Sequence, residues 1–234
     1  MAEKITRIAI AGEGGQGVQM IAEILAEAAN QMGKNAIYIP NFGVEQRGGV
    51  SIAFVQISDG PIGAPKFVEA DILIPVSPRA VERTTMHAGE DTIYIYDDSL
   101  VAPAEVADSI AGAQYDEVLP QCPVEGAEGE VAMGDISSCV FLQPSPGIDP
   151  ESLPKVKRVI AIPANDIAKQ EFHPRVFNII ILGVTIGATD VLPMDEIKKA
   201  LEVKLGHKFE SDPQLREMNY KALDRGYDLI KSIE

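Results

Sequence analysis

Across 234 residues, 35 acidic side chains outnumber 20 basic ones, giving a net charge of −15 and a pI near 4.6; such a surface repels nucleic-acid phosphates. Hydrophobic residues make up 46% of the chain, enough for a sizeable core. Yet no run approaches the ~18 apolar residues of a membrane span, and residues 1–5 carry no apolar signal-peptide stretch. Two cysteines, Cys122 and Cys139, are too few for a disulfide framework, a four-cysteine cluster or a structural zinc site, and read as free thiols in a reducing cytoplasm.

In chain order, residues 5–11 read as a buried strand, followed by the turn Gly12-Glu13-Gly14-Gly15-Gln16-Gly17. Val18, Ile21, Ala22, Leu25, Ala28, Ala29 and Met32 then recur at helical spacing, and Gly33 closes that helix. Residues 36–39 read as a second strand stopped by Pro40. This strand–helix–strand run opens a parallel sheet. Residues 50–58, 71–76 and 92–96 are further strands, with a helix over 78–87. Residues 159–163 are the last clear strand. A short helix follows from about 164, then an apolar one over 175–188, then helices over 194–205 and 213–233. Residues 112–154 differ: Pro, Gly and acidic side chains dominate, and only 138–142 is strand-like. They read as an insertion or lobe inside one domain spanning 1–234. The expected fold is α/β, a mostly parallel Rossmann-like sheet flanked by helices, with a C-terminal helical segment.

Gly12, Gly14 and Gly17 fit G-x-G-x-x-G between a strand and a helix. Glycines permit a tight turn and close backbone approach, and a helix N-terminus offers free N–H groups to a phosphate. The pattern fits a dinucleotide, another phosphate-bearing ligand, or glycines that only let helix and strand pack closely. A dinucleotide reading wants an acid at the end of the second strand to hold a ribose. That region is Ile39-Pro40-Asn41-Phe42, without one. The second constellation is Gly43-Val44-Glu45-Gln46-Arg47-Gly48-Gly49, where the planar fork of Arg47 is suited either to clamping a carboxylate or phosphate or to bracing its own loop. His87, His173 and His207 are scattered and read as structural. Asp97-Asp98-Ser99 reads as a helix cap or solvated turn.

Gly-x-Gly-Gly-Gln-Gly, then Glu45-Gln46-Arg47-Gly48-Gly49, then Ser58-Asp59 and Ala70-Asp71-Ile72-Leu73-Ile74 together resemble the gamma subunit of pyruvate, 2-oxoisovalerate and 2-oxoglutarate ferredoxin oxidoreductases. The likeness resumes at Ile160-Ala161-Ile162-Pro163-Ala164, over 178–187 and at Asn219-Tyr220-Lys221-Ala222-Leu223, covering about 5–110 and 156–230. The chain departs in having Val44 where the family has Pro, and in its longer 112–154 segment. The resemblance implies a cytoplasmic complex that converts a 2-oxoacid and coenzyme A to acyl-CoA and carbon dioxide and reduces ferredoxin. The partners would be alpha, beta and ferredoxin-like delta subunits, with thiamine diphosphate and Mg held in other subunits than this one and 4Fe-4S clusters in the ferredoxin-like one. A homodimer is left open. This chain would assemble the complex and help bind coenzyme A, with Gly12, Gly14, Gly15, Gln16, Gly17, Asn41, Phe42, Gln46, Arg47 and Gly48 as site residues and no catalytic or metal residue of its own. The competing readings are an indolepyruvate oxidoreductase beta-type subunit, a stand-alone NAD-dependent oxidoreductase, and a purely structural module.

Overall fold

The computed structural model describes residues 4–42, 49–101, 105–108, 141–144 and 155–232. Strand β1 (Ile5–Glu13) leads into helix α1 (Val18–Gln31), then β2 (Asn35–Asn41) and β3 (Val50–Ser58). β4 (Ile72–Pro75), α2 (Pro78–Thr84) and a 3-10 turn at Thr85–His87 precede β5 (Ile93–Asp97) and α3 (Asp98–Val101). A small antiparallel pair, β6 (Glu105–Asp108) with β7 (Phe141–Pro144), stands apart from the main sheet. β8 (Arg158–Ile162), α4 (Ala164–Glu171), a 3-10 turn at Pro174–Val176, α5 (Phe177–Thr189), α6 (Met194–Ser211) and α7 (Pro213–Lys231) complete the described chain. Apart from β7, the 112–154 segment lies outside the described residues.

The main sheet has the order β2-β3-β1-β4-β5-β8, parallel in the ladders β1–β4, β4–β5 and β5–β8 and antiparallel on both sides of β3. The expectation of a mostly parallel α/β sheet holds, but its opening differs from the expected strand–helix–strand pairing. β2 runs in the direction of β1 without touching it, because β3 returns between them. Two further expectations need correction. Pro40 does not stop β2; it lies inside the strand, opposite Ala53. A proline is tolerated there because β2 is an edge strand, where one missing N–H leaves no ladder bond unmade. Nor does α6 end near 205. It runs through Gly206 to Ser211, because Phe209 is buried, and Asp212 then accepts from Gln214 N and Leu215 N to start α7.

Alternation along the strands separates two faces. One core joins Ile8, Ile10, Val55, Ile74, Ile95 and Ile162 of the sheet to Ile21 and Leu25 of α1 and to α5, α6 and α7. Each of these large side chains contributes about 1.5–3 kcal/mol on full burial. The other face carries Ala9, Phe54, Leu73 and Tyr94, with Phe67 and His87 edge-on to Phe54 at 5.3 and 5.2 Å. The helix α1 ends as the glycine predicts: Gly33 takes φ 74°, its N–H bonds Asn30 O and the Lys34 N–H bonds Ala29 O.

Helix α5 is buried on all sides, from Phe177 through Gly187. It crosses α7 at glycine-to-backbone contact. A Cβ on Gly183 would strike Leu223 O, and one on Gly226 would strike Ile180 O and lie 3.0 Å from Val184 N. A Cβ on Gly187 would lie 3.0 Å from Tyr227 O. On the outer side, Glu202 ties the α6–α7 hairpin by accepting from Arg216 Nη2 at 3.0 Å and Tyr220 OH at 2.6 Å.

Candidate functional site

The carboxyl ends of β1, β4, β5 and β8 share one edge of the sheet, and β1 sits where the strand sense reverses. Ligands in open α/β sheets bind in such a crevice. The glycine turn leaves β1 there. Gly12 lets the turn approach β4 and α1, since an added Cβ would lie 2.6 Å from Val76 Cγ2 and 2.7 Å from Val18 Cγ2. Gly15 and Gly17 adopt φ 99° and 75°, open to glycine at little cost. Gly17 is the N-cap of α1 and uses no side chain to cap it. Among the described residues, no acceptor meets the N–H groups of Gly14, Gly15, Gly17 and Val18, while that of Gln16 bonds Glu13 O. These groups and the positive end of the helix are the donors an anion needs. Strand alternation puts Glu13 with Ala11 on the opposite face from α1, so its carboxylate is not set against that end.

Gln16 was expected to contact the ligand. Its side-chain amide also braces the turn: Oε1 accepts from Glu13 N at 2.6 Å and Nε2 donates to Val76 O at 3.2 Å. That brace gives the turn its shape. The sequence pattern did not include Asn178, in the first turn of α5. It is 3% exposed, and its amide packs against the Cα of Gly17, where a Cβ could not fit. The N-termini of α1 and α5 therefore converge on one turn. Its sequence signal is an asparagine in the first turn of a helix that is otherwise apolar through Val184.

The β1–β3 register brings the second motif to the same edge. Val50 lies opposite Glu13 and Ile52 opposite both Ala11 and Asn41, so the connection between β2 and β3 starts and ends beside the glycine turn. Asn41 and Phe42 are exposed there, Phe42 by 65%. Gln46, Arg47 and Gly48 lie outside the described residues. Because β3 separates β1 from β2, the end of β2 is a strand spacing further from the turn than a ribose-holding strand would be. Together with Asn41 in place of an acid, this argues against the dinucleotide reading.

Asp97 ends β5, fully buried, and does what a cap does. Oδ1 accepts from Ser99 N at 3.0 Å and Ser99 Oγ at 2.6 Å, and Oδ2 accepts from Asn165 N at 2.8 Å, at the head of α4. Burial raises its pKa, and these bonds hold the rise back. Between the ordinary aspartate pKa and this raised one, the folded chain holds a proton that the unfolded chain has released. Stability contributed by Asp97 therefore falls as pH rises through that window. In Asp97→Asn this part of the pH dependence should disappear, with an overall loss of about 1–3 kcal/mol from the unmet N–H group. Denaturant melts of both proteins across pH 4–7 measure it, and parallel pH curves would refute it.

Two of the histidines make local contacts: His87 Nδ1 lies 2.6 Å from Val68 O, and His173 Nδ1 accepts from Arg175 N. Among the described residues no cluster of His, Cys, Asp or Glu is placed to hold a metal ion, and no helix is long and apolar enough to cross a membrane.

The described chain is an open α/β sheet with a glycine turn at the carboxyl end of its first strand. The sequence places it more narrowly. Residues 7–229 match the family model described as pyruvate ferredoxin/flavodoxin oxidoreductase, and the chain belongs to that family. It is 27% identical to the pyruvate synthase subunit PorC of Thermotoga maritima over 234 residues, 100% of this chain and 99% of the relative. The fold matches the gamma subunit of a keto/oxoacid ferredoxin oxidoreductase from Geobacter sulfurreducens, with TM-score 0.64 and 22% identity over 97% of this chain and 99% of the other. It also matches a 2-oxoglutarate:ferredoxin oxidoreductase from Magnetococcus marinus, with TM-score 0.69 and 21% identity. There 99% of this chain corresponds to 32% of a longer polypeptide.

Proposed function

We propose that this chain is the gamma-type subunit of a 2-oxoacid:ferredoxin oxidoreductase and that its glycine turn binds a phosphate of coenzyme A. The observation that carries the ligand is the convergence of turn N–H groups, without an acceptor among the described residues, and two helix N-termini at the edge where the connection between β2 and β3 begins and ends. The Magnetococcus marinus enzyme, whose fold includes this one, was solved with 2-oxoglutarate, coenzyme A and succinyl-CoA bound, which supports the same reading.

The reaction consumes a 2-oxoacid, coenzyme A and two oxidised ferredoxins and yields acyl-CoA, carbon dioxide, a proton and two reduced ferredoxins. Thiamine diphosphate, held with Mg by partner subunits, supplies the carbanion chemistry when bound, and clusters in a ferredoxin-like delta subunit carry the electrons. Two cysteines cannot ligate a four-cysteine cluster, so this chain's part is binding and assembly. The turn N–H groups hold the phosphate, Arg47 adds a charged fork, and Asn41 and Phe42 line the path of the organic part. Selectivity among 2-oxoacids then lies in the subunits that hold thiamine diphosphate.

In the reconstituted complex, Arg47→Ala should raise the KM for coenzyme A about tenfold or more, as loss of a charge-assisted bond of about 1.5–3 kcal/mol implies, relative to the KM for the 2-oxoacid. An unaltered coenzyme A KM would remove this role.

A further inference from the structure

We infer that Asn178 is a ligand-binding residue: its side-chain amide is a fifth donor of the glycine turn, supplied by α5 rather than by the motif. Resting on the coenzyme A reading, this assigns to that site a contact that discriminates in favour of a phosphate.

The geometry is specific. Asn178 Oδ1 accepts from Ile179 N at 3.0 Å. That bond fixes which end of the amide faces inward and leaves Nδ2 as the end against Gly17. The residue is 3% exposed, yet Nδ2 meets no acceptor among the described residues. An amide held through its oxygen, with its nitrogen against a turn whose own N–H groups meet no acceptor among the described residues, is an arrangement an anion would complete. Packing alone does not explain an asparagine here. Its neighbours along α5 are apolar, and the bond from Ile179 N to Oδ1 engages only the oxygen end of the amide. Glycine at 17 is required twice, once by its φ of 75° and once because the amide occupies the place of a side chain.

The discriminating substitution is Asn178→Asp. Aspartate has nearly the same shape, keeps an oxygen for Ile179 N, and suits a helix N-terminus, so fold and packing are retained. It replaces the inward donor by an acceptor and places a negative charge where the phosphate would sit. In the complete complex, KM is measured for coenzyme A and for pantetheine, the same thiol without phosphates. The ratio of KM for coenzyme A to KM for pantetheine should rise at least tenfold in Asn178→Asp. In Asn178→Ala, which loses the donor without adding charge, it should rise a few-fold, and this second variant decides the matter should the aspartate form fail to assemble. A ratio unchanged in both variants, or a penalty equal for the two thiols, would overturn the inference. Arg47→Ala separates the two levels. A coenzyme A KM raised by Arg47→Ala with the Asn178 variants at the wild-type ratio sinks only the Asn178 assignment; insensitivity to all three substitutions sinks the coenzyme A reading as well.

Discussion

Gly226→Ala is expected to lower the thermal midpoint of the chain by about 6–12 °C. The added methyl would be driven into Ile180 O and within 3.0 Å of Val184 N, both backbone atoms of a helix buried on every side. Side chains relieve such contacts by changing rotamer; two helix backbones relieve them only by moving apart, which opens the packing along Gly183 and Gly187 as well. Overpacking of this kind costs about 3 kcal/mol. In a chain of this size each kcal/mol moves the midpoint by about 2–4 °C. Gly206→Ala is the matched control. That glycine is also helical, but nothing lies within 4 Å of the added Cβ, so the substitution should raise the midpoint by about 2–4 °C through roughly 1 kcal/mol of helix propensity. Opposite signs from one chemical change are the expected result in a thermal melt. A Gly226→Ala midpoint at or above the parent's would mean that the α5–α7 crossing is not as close as described.

Gly17→Ala should combine a loss of stability with a loss of affinity. Left-handed backbone costs a residue with a Cβ about 1–2 kcal/mol, and the new methyl must also displace the Asn178 amide. A fall of about 4–8 °C in the midpoint follows from roughly 2 kcal/mol. The KM for coenzyme A in the assembled complex should rise by well over tenfold, because the substitution disturbs the turn and the α5 contact together. Gly15→Ala serves as the comparison: φ is 99° but the space is open, so it should carry the strain without the displacement. Equal coenzyme A kinetics for wild type and Gly17→Ala would contradict the placement of the ligand.

Much of this architecture was legible because it rests on local chemistry. Gly33 and Gly17 stand where φ must be positive, and the apolar spacing of α1 and the unbroken apolar run of α5 mark their buried faces directly. Strand order was less legible, since pairing is a long-range choice. The clue lay in length: 42–49 is too short for the crossover of a dozen or more residues that parallel neighbours require, so β3 had to return antiparallel. Pro40 misled because its effect depends on whether the strand is at an edge, which a sequence does not state. The end of α6 lies beyond the expected 205 because Phe209, in the next turn, is buried and the helix continues to cover it. In the site, the glycine turn was readable as a motif, but Gln16 was not readable as its brace. The Asn178 contact with Gly17 exists only after the two ends of the chain have folded together.

The reversal of β3 also bears on the route by which the protein acquires its shape. The β2–β3 ladder closes through residues 42–49 and the β1–β3 ladder through residues 14–49, whereas β5 can meet β8 only after residues 98–157 have been drawn in, at a larger cost in chain entropy. A nascent chain thus has the means to set the relative placement of its first two loops before its second half has been synthesised. The same economy is a hazard. A one-residue slip of β3 against β1 would turn Val55 and Ile57 outward, which makes this ladder the place where misfolded molecules should first be sought.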